Sequence, residues 1–474
     1  MNENQDKSVN SDLPISFNRV LGFWDLMAIS VGLIIGAGII TLTGTAIEMT
    51  GRSVFISFIL ATVIMAISNI PFIYLGGTVR VQGGQYTQMG LLAPKYITGV
   101  YIWVNFFAVI SLAMYGISFG HYLLQLVPNL GMDARLIAFI LLTLMYLINF
   151  FGIKGVAKLE IALVVFMSIA LTVFVCAGMG KVDYQNFFEK SQFVPAGALG
   201  ILTATALLTF ATDGAKAIIN LSGECKNPTK DIPKVMTIST IIVGVVYTLI
   251  GIVAAGVLPV GEVAGKPLSV VAQKIMPPWL YVFFVVAGAL FALMTTVNAT
   301  IGYMTKPILL ACRDGWLPRR FAVLHKKFKS PWIILLICYA MSCLPLIFKI
   351  DMNTIANSTI ILLRVGLALL CFYMIRLPKA LPDLWKKSPY HVSNRKLKFV
   401  CILTGILSVF QVVVLFIDAV ENDLYALIAN CVFLALALII AALTYKKASL
   451  TVSYEEVCHE QKEEVKDNVV DGQQ

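Results

Sequence analysis

Charge is scarce in this chain of 474 residues: Asp, Glu, Lys and Arg make up 13%, whereas 58% of residues are hydrophobic. A water-soluble domain carries about a quarter of its residues charged, so an ordinary soluble globular class is excluded. Histidine is scarcer still. Its four residues, His121, His325, His391 and His459, lie far apart. With no metalloprotease, nucleophile or phosphate-loop motif beside them, a convergent catalytic set is missing and the chain does not read as an enzyme. The nine cysteines are scattered without a Cys-x-x-Cys or Cys/His cluster. Neither a disulfide framework nor a metal site is indicated, and no cofactor is expected. Residues 1–19 lack the apolar core of a signal peptide, so the first crossing itself is expected to direct insertion.

What the chain has in abundance is apolar runs of about 20 residues, the length that crosses the hydrocarbon of a bilayer. Mean hydropathy is +0.84. Twelve runs are predicted as transmembrane helices of an all-α integral membrane protein, at 20–49, 53–78, 96–127, 135–152, 156–179, 196–222, 233–258, 279–310, 331–348, 353–376, 397–417 and 424–445. The expected organisation is a cytoplasmic tail (1–19), a core of ten spans (20–376), a loop with two further spans (377–445) and a cytoplasmic tail (446–474). The basic clusters Arg313, Arg319, Arg320, Lys326, Lys327, Lys329 and Arg376, Lys379, Lys386, Lys387, Arg395, Lys396, Lys398 both fall in inner loops of that layout. This agrees with the positive-inside rule and places both termini in the cytoplasm of a cell-membrane protein. The net charge of +10 then reports topology and an anionic inner leaflet, with no nucleic-acid partner needed. The lipid bilayer and a small molecule are the expected partners, and the sequence is silent on oligomeric state.

Two of the runs are interrupted. Gly32, Gly36 and Gly38 sit in the middle of the first, and Asp213, Gly214 and Lys216 inside the sixth. Glycine weakens a helix by about 1 kcal/mol relative to alanine, and broken helices are tolerated in hydrocarbon only around buried or water-lined sites. Five crossings separate the two breaks. An odd offset requires a repeat inserted upside down, the plan in which paired broken helices form a site near the midplane. Gly32-x-x-x-Gly36 also fits small-xxx-small helix packing, and Asp213 with Lys216 also fits an i, i+3 ion pair lining a wall. Intramembrane ionisable residues are nevertheless candidates for function.

Four stretches carry a family resemblance. Phe23-Trp24-Asp25 with Gly36-Ala37-Gly38-Ile39, Gly83-Gly84-Gln85-Tyr86, Phe210 to Gly214 with Glu224, Lys226-Asn227-Pro228 and Ile232-Pro233, and Arg313-Asp314-Gly315-Trp316-Leu317-Pro318 together resemble the amino acid-polyamine-organocation transporters. The resemblance implies a LeuT-like 5+5 inverted repeat with broken helices 1 and 6 and two extra C-terminal helices, in which spans 1, 2, 6 and 7 move against 3, 4, 8 and 9. It implies a secondary transporter of amino acids working by alternating access. A membrane-embedded enzyme or an ion channel would instead need a catalytic set or a pore ring.

Helix N-termini at the breaks offer free N–H groups and a positive dipole to a carboxylate, and the opposing carbonyls suit an ammonium. The expected substrate site is therefore Ile34, Ile35, Gly36, Ala37, Gly38 and Ile39 with Phe210, Ala211, Thr212, Asp213 and Gly214. The amides of Ala37, Gly38 and Ile39 are assigned to the carboxylate, and carbonyls around Ile34, Ile35, Phe210 and Ala211 to the ammonium. Phe210 aligns with a gating aromatic in the family and is assigned that role, against an ordinary core aromatic. Asn105 and Asn298 are candidate polar contacts or bonds to a neighbouring helix.

Coupling departs from one branch of the family. Asn149-Phe150-Phe151-Gly152-Ile153-Lys154 with Glu160 fits the start of span 5, and seven residues further on, where many relatives carry a cation-mimicking or proton-carrying lysine, stands Met167. A thioether does neither, which favours exchange of one amino acid for another. The alternatives are a proton- or sodium-coupled symporter, using Asp213 or a hydroxyl-lined site at Thr295 or Thr296, and a polyamine or amine transporter. Lys216 is expected to repel arginine-like substrates unless Asp213 neutralises it, or else to hold a second carboxylate. Arg364 is read as a partner of a substrate anion, of Asp213 or of backbone carbonyls.

Overall fold

The computed structural model describes residues 19–79, 81 and 83–450; the predicted tails lie almost wholly outside that set. Among the described residues the regular structure is all helical, apart from one isolated parallel bridge between Leu21 and Cys225. The main helices are α1 (Phe23–Ile34), α2 (Ala37–Thr50), α3 (Val54–Gly76), α4 (Gln85–Leu92), α5 (Lys95–Phe107), α6 (Ser111–Leu126), α7 (Ala134–Phe150), α8 (Ile153–Met179), α9 (Gly197–Ala211), α10 (Pro228–Gly256), α11 (Phe291–Asp314), α12 (Trp332–Ile347), α13 (Met352–Met374), α14 (Asn394–Asn422) and α15 (Leu424–Thr444). Ten helical runs are long and apolar enough to cross a membrane. Helices α7 and α12, predicted as full crossings, are apolar but shorter, with 17 and 16 residues.

Both predicted interruptions are present. Helix α1 stops at Ile34, Gly36 is extended (φ −108°, ψ −152°), and α2 restarts at Ala37. Helix α9 stops at Ala211, and after Gly214 the chain continues as a tight 3-10 turn structure, Ala215–Glu224.

Apolar residues cover the outside as well as the inside. Leu144, Leu147, Phe399, Ile406, Phe410 and Leu443 are all exposed, on a scale that water would penalise and lipid does not. Because lipid tails are as apolar as the side chains, packing rather than hydrophobic burial holds such helices together, and small residues let them approach. Gly120 on α6 faces the backbone of Ala134 on α7, Gly244 on α10 faces Thr62 on α3, and Gly178 on α8 faces Val253 on α10. The rings of Phe58 and Tyr247 meet edge-on at 5.6 Å and tie α3 to α10.

One end of the bundle is cross-linked by polar bonds. Val20 and Leu21 donate N–H groups to the carbonyl of Glu224 at 3.0 Å, Lys226 N–H returns to the carbonyl of Leu21 at 2.9 Å, and Lys306 Nζ on α11 lies 2.7 Å from Glu224 Oε1. Tyr86 OH donates to Asp314 Oδ2 at 2.6 Å. The strand-like segment before α1 is thereby fastened to the end of the second broken span.

A Cβ added at Gly120 would stand 2.4 Å from the carbonyl oxygen of Ala134, and backbone cannot yield as a side chain can. Gly120→Val is expected to lower stability by about 1–3 kcal/mol through overpacking, read as a drop in melting temperature in detergent. Gly180→Ala, which meets nothing within 4 Å, should leave it unchanged.

Candidate functional site

The two breaks are pressed against each other, backbone to backbone. A Cβ on Gly38 would lie 2.7 Å from Ala211 Cα, and one on Gly214 would lie 2.7 Å from the carbonyl oxygen of Leu33. Gly214 also has φ +142°, a conformation that side chains rarely adopt. The packing and site readings of these glycines therefore coincide: close approach is what brings the broken ends together.

Beside the crossing lies a cavity of about 140 Å³. Ile34, Gly36, Gly38, Phe210, Ala211, Asp213 and Gly214 from the expected set line it, as do Asn105, Lys216 and Arg364. Ile35, Ile39, Thr212, Met167 and Asn298 are not part of its lining; Ile39, Met167 and Asn298 are fully buried in packing. The first N–H groups of α2, beginning at Ala37, have no intrahelical acceptor, and the negative ends of α1 and α9 lie at the same crossing. The carbonyl of Ile34, expected for an ammonium, already accepts from Tyr247 OH at 3.1 Å and from Gly36 N–H at 3.0 Å. Ile35 caps α1 (φ −81°, ψ 79°), its N–H donating to the Val31 carbonyl.

The charged residues form one cluster. Asp213 Oδ1 accepts from Lys216 Nζ and, at 2.7 Å, from the N–H of Gly214. Arg364 Nη1 on α13 reaches Asp213 Oδ2 at 3.0 Å. Of the three partners considered for Arg364, Asp213 is the one it meets. The i, i+3 spacing predicted the Lys216 pair; the Arg364 pair joins residues 151 positions apart in sequence and needed the fold.

Several lining residues escaped the sequence reading. Gly83 and Gly84, both at positive φ, turn the chain so that Gln85 heads α4 against Asn220. Gln85 N–H donates to Asn220 Oδ1 at 2.9 Å, its Nε2 to the Lys216 carbonyl at 3.1 Å, and its Oε1 accepts from Tyr101 OH at 3.0 Å. Tyr115, Tyr303 and Thr300 complete a polar wall. The signal was present only as polar residues in apolar helices, which are as common in helix packing. Asn105 does line the cavity, with its amide donating to the Tyr101 carbonyl of its own helix at 2.8 Å.

Asn298 serves elsewhere. Its Nδ2 donates to Glu160 Oε2 at 2.8 Å, and its Oδ1 accepts from Asn149 Nδ2 at 3.1 Å. Glu160 is fully buried on α8, and its Oε1 has no hydrogen-bond partner among the described residues. That oxygen sits against Gly32, one turn before the first break, where an added Cβ would meet it at 2.0 Å. Thr295 and Thr296 donate to the Gly32 carbonyl at 3.3 and 3.2 Å.

A family model described as amino acid permease matches residues 21–442. The chain is similar to the branched-chain amino acid permease BcaP of Bacillus subtilis, 26% identical over 391 residues that cover 78% of this chain and 83% of the relative. It is also similar to the methylthioribose transporter of Bacillus subtilis, 26% identical over 74% of this chain and 81% of the relative. A third relative is cationic amino acid transporter 9, chloroplastic, of Arabidopsis thaliana, 26% identical over 67% of this chain and 59% of the relative.

Asp213 separates two buried cations, so its removal should be more damaging than theirs. Asp213→Asn is expected to cost about 3–5 kcal/mol, seen as a lower melting temperature in detergent. The double change Asp213→Asn with Arg364→Gln should recover part of the loss, a non-additivity that marks direct contact.

Proposed function

Because the chain belongs to the amino acid permease family, whose members are multi-pass membrane transporters and not enzymes, we propose that it exchanges amino acids across the cell membrane by alternating access. The proposed layout is twelve crossings in a LeuT-like inverted repeat, with α1–α2 and α9 with its 3-10 continuation as the equivalent broken spans and both termini cytoplasmic. The observation that carries this reading is the backbone-to-backbone meeting of the two breaks beside a cavity. A zwitterion has an α-carboxylate and an α-ammonium about one peptide unit apart. The open N–H groups at Ala37, Gly38 and Ile39 suit the first, and the helix ends at Ile35, Phe210 and Ala211 suit the second. These contacts involve main chain alone, so they grip the groups every amino acid shares and leave choice to the surrounding side chains.

Alternating access needs two packings of similar energy. The contacts between the broken spans are glycine against main chain, which slide without unlocking interdigitated side chains. Phe210 is half-buried at the cavity edge, where a ring swing opens or closes the way to the breaks. With Met167 in place of a titratable lysine, exchange is the simpler coupling.

Proton-coupled symport is a second reading, favoured by Glu160. A fully buried carboxylate with one unpartnered oxygen against the first broken helix changes the packing at Gly32 when it gains or loses a proton, since an ionised group there needs a partner that the neutral acid does not.

Counterflow distinguishes the two. Purified protein in liposomes is expected to accumulate labelled amino acid when the lumen holds unlabelled amino acid, with no ion gradient. Accumulation that requires an inward proton gradient and no internal amino acid, and that Glu160→Gln abolishes, would replace exchange by symport. A non-saturating ohmic current would sink both.

A further inference from the structure

Resting on the amino acid reading, we infer that the cavity selects substrates bearing a second carboxylate, that is, acidic amino acids, because its own ionised groups leave one positive charge over. The ionised side chains lining it are Asp213, Lys216 and Arg364; Tyr101, Tyr115 and Tyr303 add hydroxyls and no charge. Two cations thus face one carboxylate.

The geometry uses up the carboxylate and leaves the cations with capacity to spare. Asp213 Oδ1 takes Lys216 Nζ and the Gly214 N–H, while Oδ2 takes Arg364 Nη1 at 3.0 Å. A guanidinium carries five N–H donors in a planar fork and an ammonium carries three. The ion pair of Arg364 Nη1 with Asp213 Oδ2 engages one side of the guanidinium, and the five donors of its fork leave capacity for a second carboxylate. Both cationic side chains are shielded, Arg364 at 6% and Lys216 at 14% exposed, so bulk water does little to screen the surplus. Glu160 does not line the cavity; it is buried against Gly32 and accepts from Asn298.

Charge balance then ranks the substrates. A cationic amino acid raises the site to two positive charges, a neutral zwitterion leaves it at one, and an acidic amino acid brings it to zero. In a low-dielectric cavity the neutral total is favoured. With its α-groups at the breaks, the side-chain carboxylate of the substrate would turn towards α13, where Arg364 stands. The amides of Gln85 and Asn105 and the hydroxyl of Thr300 give the remaining wall uncharged hydrogen-bonding groups.

Glutamate and glutamine are near-isosteres that differ in this one charge, which makes them the probe. The full chain in liposomes, each lumen loaded with the same unlabelled amino acid as the label outside, is expected to take up glutamate at least tenfold faster than glutamine at equal concentration, and lysine at background. Arg364→Gln and, separately, Lys216→Gln bring the site to neutrality, and each should reduce the glutamate-to-glutamine ratio at least tenfold. Glutamine carried as well as glutamate by the unaltered protein, or a ratio unmoved in both variants, overturns the inference while leaving amino acid transport standing. If none of the three amino acids moves, that broader reading falls as well. Should the variants fail to fold, the unaltered protein in detergent decides: glutamate must raise its melting temperature and glutamine at the same concentration must not.

Discussion

The constraint on which this structure turns is the contact of two interrupted helices through bare main chain. Gly38 lies on Ala211, and Gly214 on Leu33 and Ile34, at distances that leave no room for a Cβ. In lipid an unpaired N–H or C=O is costly, so a broken span survives only where another element shields the break. Here each break shields the other. That mutual cover explains why the interruptions occur in two spans rather than one, and why the small residues cluster where they do.

From this crossing follows the placement of charge. Asp213 sits in the second break because a carboxylate there accepts the N–H of Gly214, which the interrupted helix leaves free. A lone carboxylate in hydrocarbon would be expensive, and Lys216 three residues on compensates it locally. Arg364 adds a second cation from a helix far along the chain. Among the described residues that line the cavity, no second carboxylate stands beside the other cation.

A second buried carboxylate, Glu160, lies against Gly32 of α1 and accepts from Asn298, which accepts in turn from Asn149. The first broken span thus touches both the charged cavity and a buried carboxyl. The polar bonds that tie Val20 and Leu21 to Glu224 fasten the same span at one end, so any movement of that span must either break them or carry them along.

Much of the fold was legible in the chain. Apolar runs of bilayer length marked the helices, because each membrane helix satisfies its own main-chain hydrogen bonds and its sequence signal is local. The two shorter helices, α7 and α12, carry the same apolar signal over 17 and 16 residues. Both breaks were legible too, since glycine and charge inside an apolar run are local anomalies, and so was the Asp213–Lys216 pair, whose members lie three residues apart. What the chain could not announce was anything set by contact between distant segments. Arg364 had three partners to choose from until α13 brought it to Asp213; Asn298, read as a polar contact or a bond to a neighbouring helix, makes the latter with Glu160; Tyr101 and Tyr303 gave no signal of their place in the cavity wall. The amino acid order by itself determined where helices run and where they fail, because those depend on neighbours within a few residues. Only the tertiary structure decided which failures meet and what net charge surrounds their meeting point, because those depend on side chains brought together across hundreds of residues.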